Sequence, residues 1–278
     1  RNISYPKNRI KILLLENVHP DAFTKLSTDG FSVETVSKSL SEDELIAKIK
    51  DVHVLGIRSK TNVTQRVVAA AEKLMVVSAF CIGTKQIDLD ACKEKGIVVF
   101  NAPYSNTRSV VELAIGEIIM LMRSVFQRST EIHNGQWNKT AEGSREVRGK
   151  KLGIVGYGNI GKQLSVLAEA LGMDVCYYDV EDKLALGNAT KMNTLKDLLA
   201  ISDVVTLHVD DNAANHNFFG AKEISQMKDG AHLVNLARGF VVDISALVVA
   251  LKSGKIAGAA VDVYPSEPRK NGDFYTEL

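Results

Sequence analysis

Between positions 152 and 161 a short apolar run feeds a glycine-rich turn, Leu152-Gly153-Ile154-Val155-Gly156-Tyr157-Gly158-Asn159-Ile160-Gly161. The spacing suits a diphosphate. Gly156 allows a tight turn, Gly158 lets a pyrophosphate approach bare backbone, and Gly161 lets the following helix pack closely on its sheet. That helix would start with free N–H groups facing the phosphates. A second apolar run, Val175-Cys176-Tyr177-Tyr178, leads to Asp179, placed to accept hydrogen bonds from the adenosine ribose hydroxyls. A carboxylate there favours NAD over NADP, because a 2′-phosphate would face a negative charge instead of an arginine. The glycine pattern alone also fits an ordinary loop between strand and helix. With strand, helix, second strand and acid all in order, nucleotide binding is the expectation.

A dinucleotide directs attention to whatever follows each strand of its domain, since ligands of such sheets lie beyond the carboxyl ends of the strands. The run 231–235 leads into Leu236-Ala237-Arg238-Gly239, so Arg238 falls at that edge, where a planar guanidinium can grip a carboxylate in two places. The run 259–262 leads into Val263-Tyr264-Pro265-Ser266-Glu267-Pro268, and Glu267, between prolines, could orient a histidine and raise its basicity. Taken singly, the two also read as a helix-cap arginine and a loop carboxylate. In the first third of the chain, Arg58-Ser59-Lys60 follows the run 52–57 at the equivalent edge, and Lys139 follows Trp137 in a polar stretch. A phosphorylated substrate would need at least one of Arg58, Lys60 or Lys139, because two negative charges left unpaired in a binding site are costly. Cys81, Cys92 and Cys176 show no C-x-x-C spacing and read as reduced core cysteines. No metal site is expected.

These residues require alternating strands and helices to place them. Strands are expected at 10–15, 31–36, 52–57, 74–78 and 97–100, with helices at 21–26, 42–49, 65–71 and 89–95. Ser41 and Glu44 form a capping box ahead of the second of these helices. The turn-rich segment 101–106 precedes a strongly apolar helix at 110–123, expected to be buried between domains or subunits, and a second helix at 126–134. The polar stretch 135–149 holds the single tryptophan, Trp137, which either docks on a partner subunit or lids its own domain. From 151 onward strands are expected at 151–155, 174–178, 204–207, 231–235 and 259–262, and helices at 158–170, 195–200, 221–227 and 245–253. Near-continuous apolar strands separated by helices mean a mostly parallel sheet covered on both faces. The fold class is α/β, with two doubly wound parallel-sheet domains at 1–104 and 105–278.

Composition excludes several alternatives. With 45% hydrophobic and 24% charged residues and a formal net charge of +1, nothing points to a nucleic-acid or membrane-surface partner. No apolar run approaches the roughly 20 residues that span a bilayer. A cytoplasmic location is expected.

Several stretches together resemble the D-isomer-specific 2-hydroxyacid dehydrogenases. They are Phe80-Cys81-Ile82-Gly83-Thr84, the run from Phe100 to Val110, Trp137-Asn138-Lys139, the run from Gly149 to Gly161, Leu207-His208-Val209, and Asp262 to Pro268. The resemblance covers nearly the whole chain from Ile12. It implies two Rossmann-like domains with the active site in the cleft between them, and NAD as cofactor. It also implies that Gly156, Tyr157, Gly158, Asn159, Ile160, Gly161, Asp179, His208, Val209, Ala237, Arg238 and Asp262 lie along the cofactor. Arg58, Ser59, Lys60, Ile82, Gly83, Asn106, Lys139 and Arg238 would face the substrate. In such enzymes an arginine at the position of Arg238 binds the substrate carboxylate and polarises the C2 oxygen, while the glutamate at Glu267 pairs with a catalytic histidine. A base with a pKa near the working pH suits transfer in both directions.

Two departures stand out. The family histidine should follow Glu267 in a threonine-proline-histidine motif, yet His19, His53, His133, His208, His216 and His232 all precede it. The expectation is a chain truncated at its C-terminus, which binds NAD but is nearly inactive. The family usually has proline at position 210, where this chain has Asp210 followed by Asp211, near the adenine end of the cofactor. Arg108, beside the substrate-side Asn106, is expected to cap or fix the start of the following helix. The expected reaction is NAD-dependent oxidation of 3-phospho-D-glycerate to 3-phosphohydroxypyruvate, the start of serine biosynthesis. The alternatives are another D-2-hydroxy acid (glyoxylate, hydroxypyruvate or D-lactate) or a non-enzymatic NAD sensor of the corepressor kind. The partner is a small phosphorylated 2-hydroxy acid, and the assembly a homodimer through the NAD domain, with a tetramer open to the full-length protein.

Overall fold

The apolar run after Arg9 becomes strand β1 (Lys11–Leu14), and an alternation of helices and strands follows it: α1 (Pro20–Thr28), β2 (Ser32–Thr35), α2 (Glu42–Ile49), β3 (Val54–Ile57), α3 (Gln65–Ala70), β4 (Val76–Ala79), α4 (Leu89–Glu94) and β5 (Val98–Asn101). The computed structural model describes residues 5–266 and separates into two units, 1–105 and 106–278. The helix starts follow from local chemistry. Ser41 and Glu44 close the expected capping box on α2, and Thr64 and Asp88 accept the N–H groups of Val67 and Ala91 at the starts of α3 and α4. The strands of the first unit are all parallel, in the order β2-β1-β3-β4-β5. Leu13, Leu45, Ile49, Leu55, Ile57, Val67 and Val77 form its core.

The second unit contains α5 (Thr107–Met122), α6 (Val125–His133), β6 (Lys151–Val155), α7 (Asn159–Ala170), β7 (Asp174–Tyr178), β8 (Thr190–Lys191), α8 (Leu195–Ile201), β9 (Val204–Leu207), α9 (Ala221–Gln226), β10 (Ala231–Asn235), α10 (Ile244–Lys252) and β11 (Ile256–Val261). Its sheet is also parallel throughout, in the order β11-β10-β9-β6-β7-β8. The chain winds outward from β6 through β7 to β8, then returns to β9 and winds the other way, which leaves a switch point between β6 and β9. In the first unit the same reversal lies between β1 and β3. One face of the second sheet packs on α5 and α7 through Val111, Ile118, Leu152, Leu164 and Val234, and the other buries Leu198, Val205, Phe219, Leu233 and Leu247.

Two elements start three residues earlier than the sequence expectation, and one strand is unexpected. Helix α5 begins at Thr107, which is buried together with the helix's apolar face, while Asn106 stands just outside the helix. Strand β11 begins at Ile256, where alanine and glycine disguise a strand that pairs along the whole of β10. The two-residue edge strand β8 is polar and exposed, so no apolar run announced it.

Candidate active site

At the switch point of the second unit, the carboxyl end of β6 turns through Gly156 into α7. Gly156 has φ 93°, and a Cβ there would come within 2.5 Å of the His208 carbonyl oxygen at the end of β9. A Cβ on Gly161 would lie 2.5 Å from the carbonyl oxygen of Gly156. Both glycines are therefore fixed by close backbone packing. Gly158 differs: a Cβ added to it meets nothing within 4 Å, and it stands at the cap of α7 without a side-chain partner for the helix N–H groups. An open glycine beside the free N-terminus of a twelve-residue helix is a cradle for an anionic group. Asn159 is exposed on this first turn, whereas Ile160 leans on the core.

Asp179 lies just beyond β7. One carboxylate oxygen accepts the Tyr157 N–H at 2.7 Å and the other the Glu181 N–H at 2.9 Å. The acid thereby fixes the glycine turn as well as its own loop. The Tyr157 side chain takes no part at the surface. It is fully buried, stacks on Tyr177 with ring centroids 3.7 Å apart, and its hydroxyl lies 2.7 Å from Ser165 Oγ. Only the backbone of Tyr157 is left for a ligand on the turn.

His208 follows β9. Its Nε2 lies 3.0 Å from Thr206 Oγ1, while Nδ1 is sealed from solvent with no partner among the described residues. The residue keeps some exposed surface, but burial of the ring pushes its pKa down to about 4, so the imidazole is neutral near pH 7. Val209 packs partly on the core, and Ala237 is buried. His232 is buried within β10 as a core residue, and burial, with Arg145 nearby, lowers its pKa too.

Arg238 emerges from β10 with its side chain 45% exposed. Its Nη1 donates to the Ala237 carbonyl at 2.7 Å, and Nε lies 3.9 Å from Asp211 Oδ2. Asp211 thus reaches the arginine, while Asp210 accepts the Asn215 amide at 2.9 Å. The turn that presents Arg238 is held by a residue that sequence reading passed over. Asn235, fully buried, accepts the Ala237 N–H and donates to the Arg238 carbonyl, each at 3.1 Å. Its one signal was a lone amide at the end of an apolar strand. Gly239 lies so close to the backbone of Tyr264 and Pro265 that a side chain there has no room. Asp262 is exposed beyond β11, and its N–H is bonded to the Asn235 carbonyl. Burial, aided by the charge of Asp262, pushes up the carboxyl of Glu117 on α5, whose Oε2 is sealed without a partner among the described residues. Glu267 lies outside the described residues.

In the first unit, Arg58, Ser59 and Lys60 are exposed at the carboxyl end of β3. The 81–84 turn stands beyond the neighbouring strand β4. Gln86 Nε2 ties the two loops together by donating to the Arg58 carbonyl at 2.8 Å and the Gly83 carbonyl at 3.2 Å. Ile82 is partly buried, its carbonyl held by Asn101, and Gly83 is open to solvent. Cys81 is partly exposed in this turn instead of buried in a core, whereas Cys92 and Cys176 are buried as expected. In the second unit, Asn106 starts α5 without capping it, Arg108 pairs with Glu112 at 2.7 Å, and Lys139 is exposed in the polar loop. Among the described residues no group of three or more His, Cys, Asp or Glu side chains could hold a metal ion.

The family model described as D-isomer specific 2-hydroxyacid dehydrogenase, NAD binding domain, matches residues 115–277. The chain belongs to this family. Escherichia coli D-3-phosphoglycerate dehydrogenase is 54% identical over 275 residues, covering 99% of this chain and 67% of that protein. A Schizosaccharomyces pombe protein is 56% identical over 263 residues, 95% of this chain, and the chain spans only 56% of its length. Among solved structures, the D-lactate dehydrogenase of Aquifex aeolicus, crystallised with NAD and lactic acid, superposes with a TM-score of 0.77 at 28% identity, covering 92% of this chain and 77% of that one. The cofactor is NAD, and the open Gly158 cradle, the free start of α7 and the acid at Asp179 fit it.

Proposed function

We propose that the protein oxidises 3-phospho-D-glycerate to 3-phosphohydroxypyruvate with NAD. The observation that carries this reading is 54% identity to the E. coli 3-phosphoglycerate enzyme across 99% of the chain. Arg238, presented at the carboxyl edge of β10, supports it. When bound, the nicotinamide supplies the hydride acceptor. Arg238 holds the substrate carboxylate and draws electron density from the C2 oxygen, while Asp211 restrains the guanidinium. Arg58 and Lys60 of the first unit, with Lys139 of the second, supply positive charge for the phosphate end, and Ser59, Ile82, Gly83 and Asn106 complete the substrate side. Glu267 is assigned to orient the histidine that takes the C2 hydroxyl proton.

The domain division follows the same reading: a substrate-binding domain at 1–104 and a NAD-binding domain at 105–278, in a cytoplasmic homodimer formed through the NAD domain. Trp137, 80% exposed in the second unit, supports the dimer, as does a cavity of about 820 Å³ lined by the next residue, Asn138, with Ser124, Arg128, Arg145, His232 and Gly258. A bulky aromatic ring held in solvent is a common anchor for a partner surface. Among the described residues, no helix is long and apolar enough to cross a membrane.

The test is NADH formation from 3-phospho-D-glycerate by the full-length protein, with D-lactate and D-glycerate as competing substrates. Preference for the phosphorylated acid by at least a hundredfold in kcat/KM is expected. Equal turnover of all three would replace the phosphoglycerate assignment with a general D-2-hydroxyacid one.

A further inference from the structure

Strand β1 ends in an acid. Leu15 continues the strand pairing by donating to the Gly56 carbonyl, and Glu16 follows with φ 59°, then Asn17 with φ 55°. Two successive left-handed residues, neither of them glycine, are unfavourable unless their surroundings require them. The requirement is visible in what Glu16 does. Its side chain turns inward, leaving the residue only 7% exposed. Its carboxylate has no ion-pair partner among the described residues. It collects backbone N–H groups from the loop after β3: Oε1 accepts from Arg58 at 3.2 Å and from Thr61 at 2.8 Å, and Oε2 accepts from Lys60 at 2.9 Å. Burial alone would raise this carboxyl. The hydrogen bonds that Thr61, Lys60 and Arg58 donate outweigh burial and hold it below the ordinary glutamate range.

A loop whose N–H groups converge on an anion is the geometry of a phosphate-binding turn. Here the anion is a side chain of the protein itself. The loop is therefore folded as if charged ligand were already present, its inner N–H groups are satisfied, and the exposed side chains of Arg58, Ser59 and Lys60 are what it offers outward. The place is the switch point of the first sheet, between β1 and β3, where open α/β sheets receive their ligands.

We propose that Glu16 is a positioning residue for recognition of the substrate's phosphate: it clamps the 58–61 loop from inside so that Arg58 and Lys60 meet the anion without reorganisation. This rests on the assignment of Arg58 and Lys60 to the phosphate. Glu16 itself touches no substrate.

The experiment compares Glu16→Gln and Arg58→Ala with the parent in the full-length protein, using 3-phospho-D-glycerate and D-glycerate as substrates and a separate titration of NAD. A glutamine can keep the Arg58 and Thr61 bonds but sets its own NH2 against the Lys60 N–H. Glu16→Gln is expected to raise KM for 3-phospho-D-glycerate about tenfold, with kcat changed less than threefold. The kcat/KM for D-glycerate and the Kd for NAD should stay within about threefold, a pattern that general loss of folded protein does not produce. Glu16→Asp, which keeps the charge but reaches less far, is expected to fall between the two. If Glu16→Gln is folded and KM is unmoved while Arg58→Ala raises it, the positioning role is overturned and the phosphate assignment survives. If Arg58→Ala and Lys60→Ala both leave discrimination between the two acids intact, the phosphate assignment fails and takes this proposal with it. Failure of both Glu16 variants to fold would show a purely structural carboxylate and would also overturn it.

Discussion

At the scale of single residues, the glycine turn separates two duties that one sequence pattern joins. Gly156 and Gly161 answer to packing, because a methyl group on either would strike backbone oxygen at 2.5 Å. Gly158 has open space and answers only to what approaches it. Gly161→Ala is expected to lower stability by about 1–3 kcal/mol in urea titrations, the usual cost of overpacking a rigid site. Gly158→Ala should leave the unfolding free energy within about 0.5 kcal/mol of the parent's. The same variant should weaken NAD binding at least tenfold by fluorescence titration. Loss of stability in Gly158→Ala, or unchanged NAD affinity, would contradict the division. The motif was legible in the sequence because it is local. Asn235 and Glu16 were not, since their importance lies in backbone partners. Those of Asn235 are only two and three positions away but depend on a turn shape, and those of Glu16 lie 42 to 45 positions away.

At the scale of elements, the carboxyl end of β10 shows how a strand delivers a functional side chain. A fully buried Asn235 completes the strand and then, with both ends of its amide, folds the next three residues into the turn that carries Arg238. Asn235→Ala leaves the buried Ala237 N–H without its partner and takes one of two donors from the Arg238 carbonyl, which keeps the Val241 N–H, a change worth about 1–3 kcal/mol in stability. Its sharper effect is expected in kcat/KM for the 2-hydroxy acid, which should drop at least tenfold as the guanidinium loses its fixed origin, with NAD affinity little changed. A variant as active as the parent would show that Arg238 is positioned by other contacts. Most elements were legible, because apolar strands such as 151–155 and 204–207 alternate with capped helices. Strand β8 was illegible for the opposite reason: Thr190 and Lys191 sit exposed at an edge and need no apolar side chain to pair with Cys176 and Tyr177.

At the scale of the whole molecule, stability carries a signature of His208. Its pKa falls from 6.5 to about 4 on folding, so between those values the unfolded chain takes up a proton that the folded chain refuses. Stability contributed by the neutral ring is complete above about pH 6.5 and is lost as pH falls toward 4, by up to about 3 kcal/mol. Between pH 7 and pH 5 the loss is about 2 kcal/mol. His208→Gln, which cannot titrate, should lose about 2 kcal/mol less than the parent over the same interval in urea unfolding. Identical pH profiles would show that folding leaves the pKa of His208 where it is in the unfolded chain. The buried carboxylate of Glu16 acts in a lower window, since its folded pKa lies below 4.5 and its contribution disappears as pH falls through that depressed value.

The pairing of β6 with β9 also sets a timetable for synthesis. Leu152 sits opposite Val204, so the strand that begins the second sheet must wait for a partner 52 residues further along the ribosome's output. At ordinary elongation rates that interval is roughly 3 to 10 s. During it one edge of β6, Lys151–Val155, apolar over four of its five residues, has no neighbour on the side where β9 will lie. Only when β9 arrives does the His208 carbonyl come against Gly156. The nucleotide turn is thus translated with the first strand of its sheet but takes its final shape only after β9, and a nascent chain arrested between residues 161 and 204 would carry the whole glycine motif without a site.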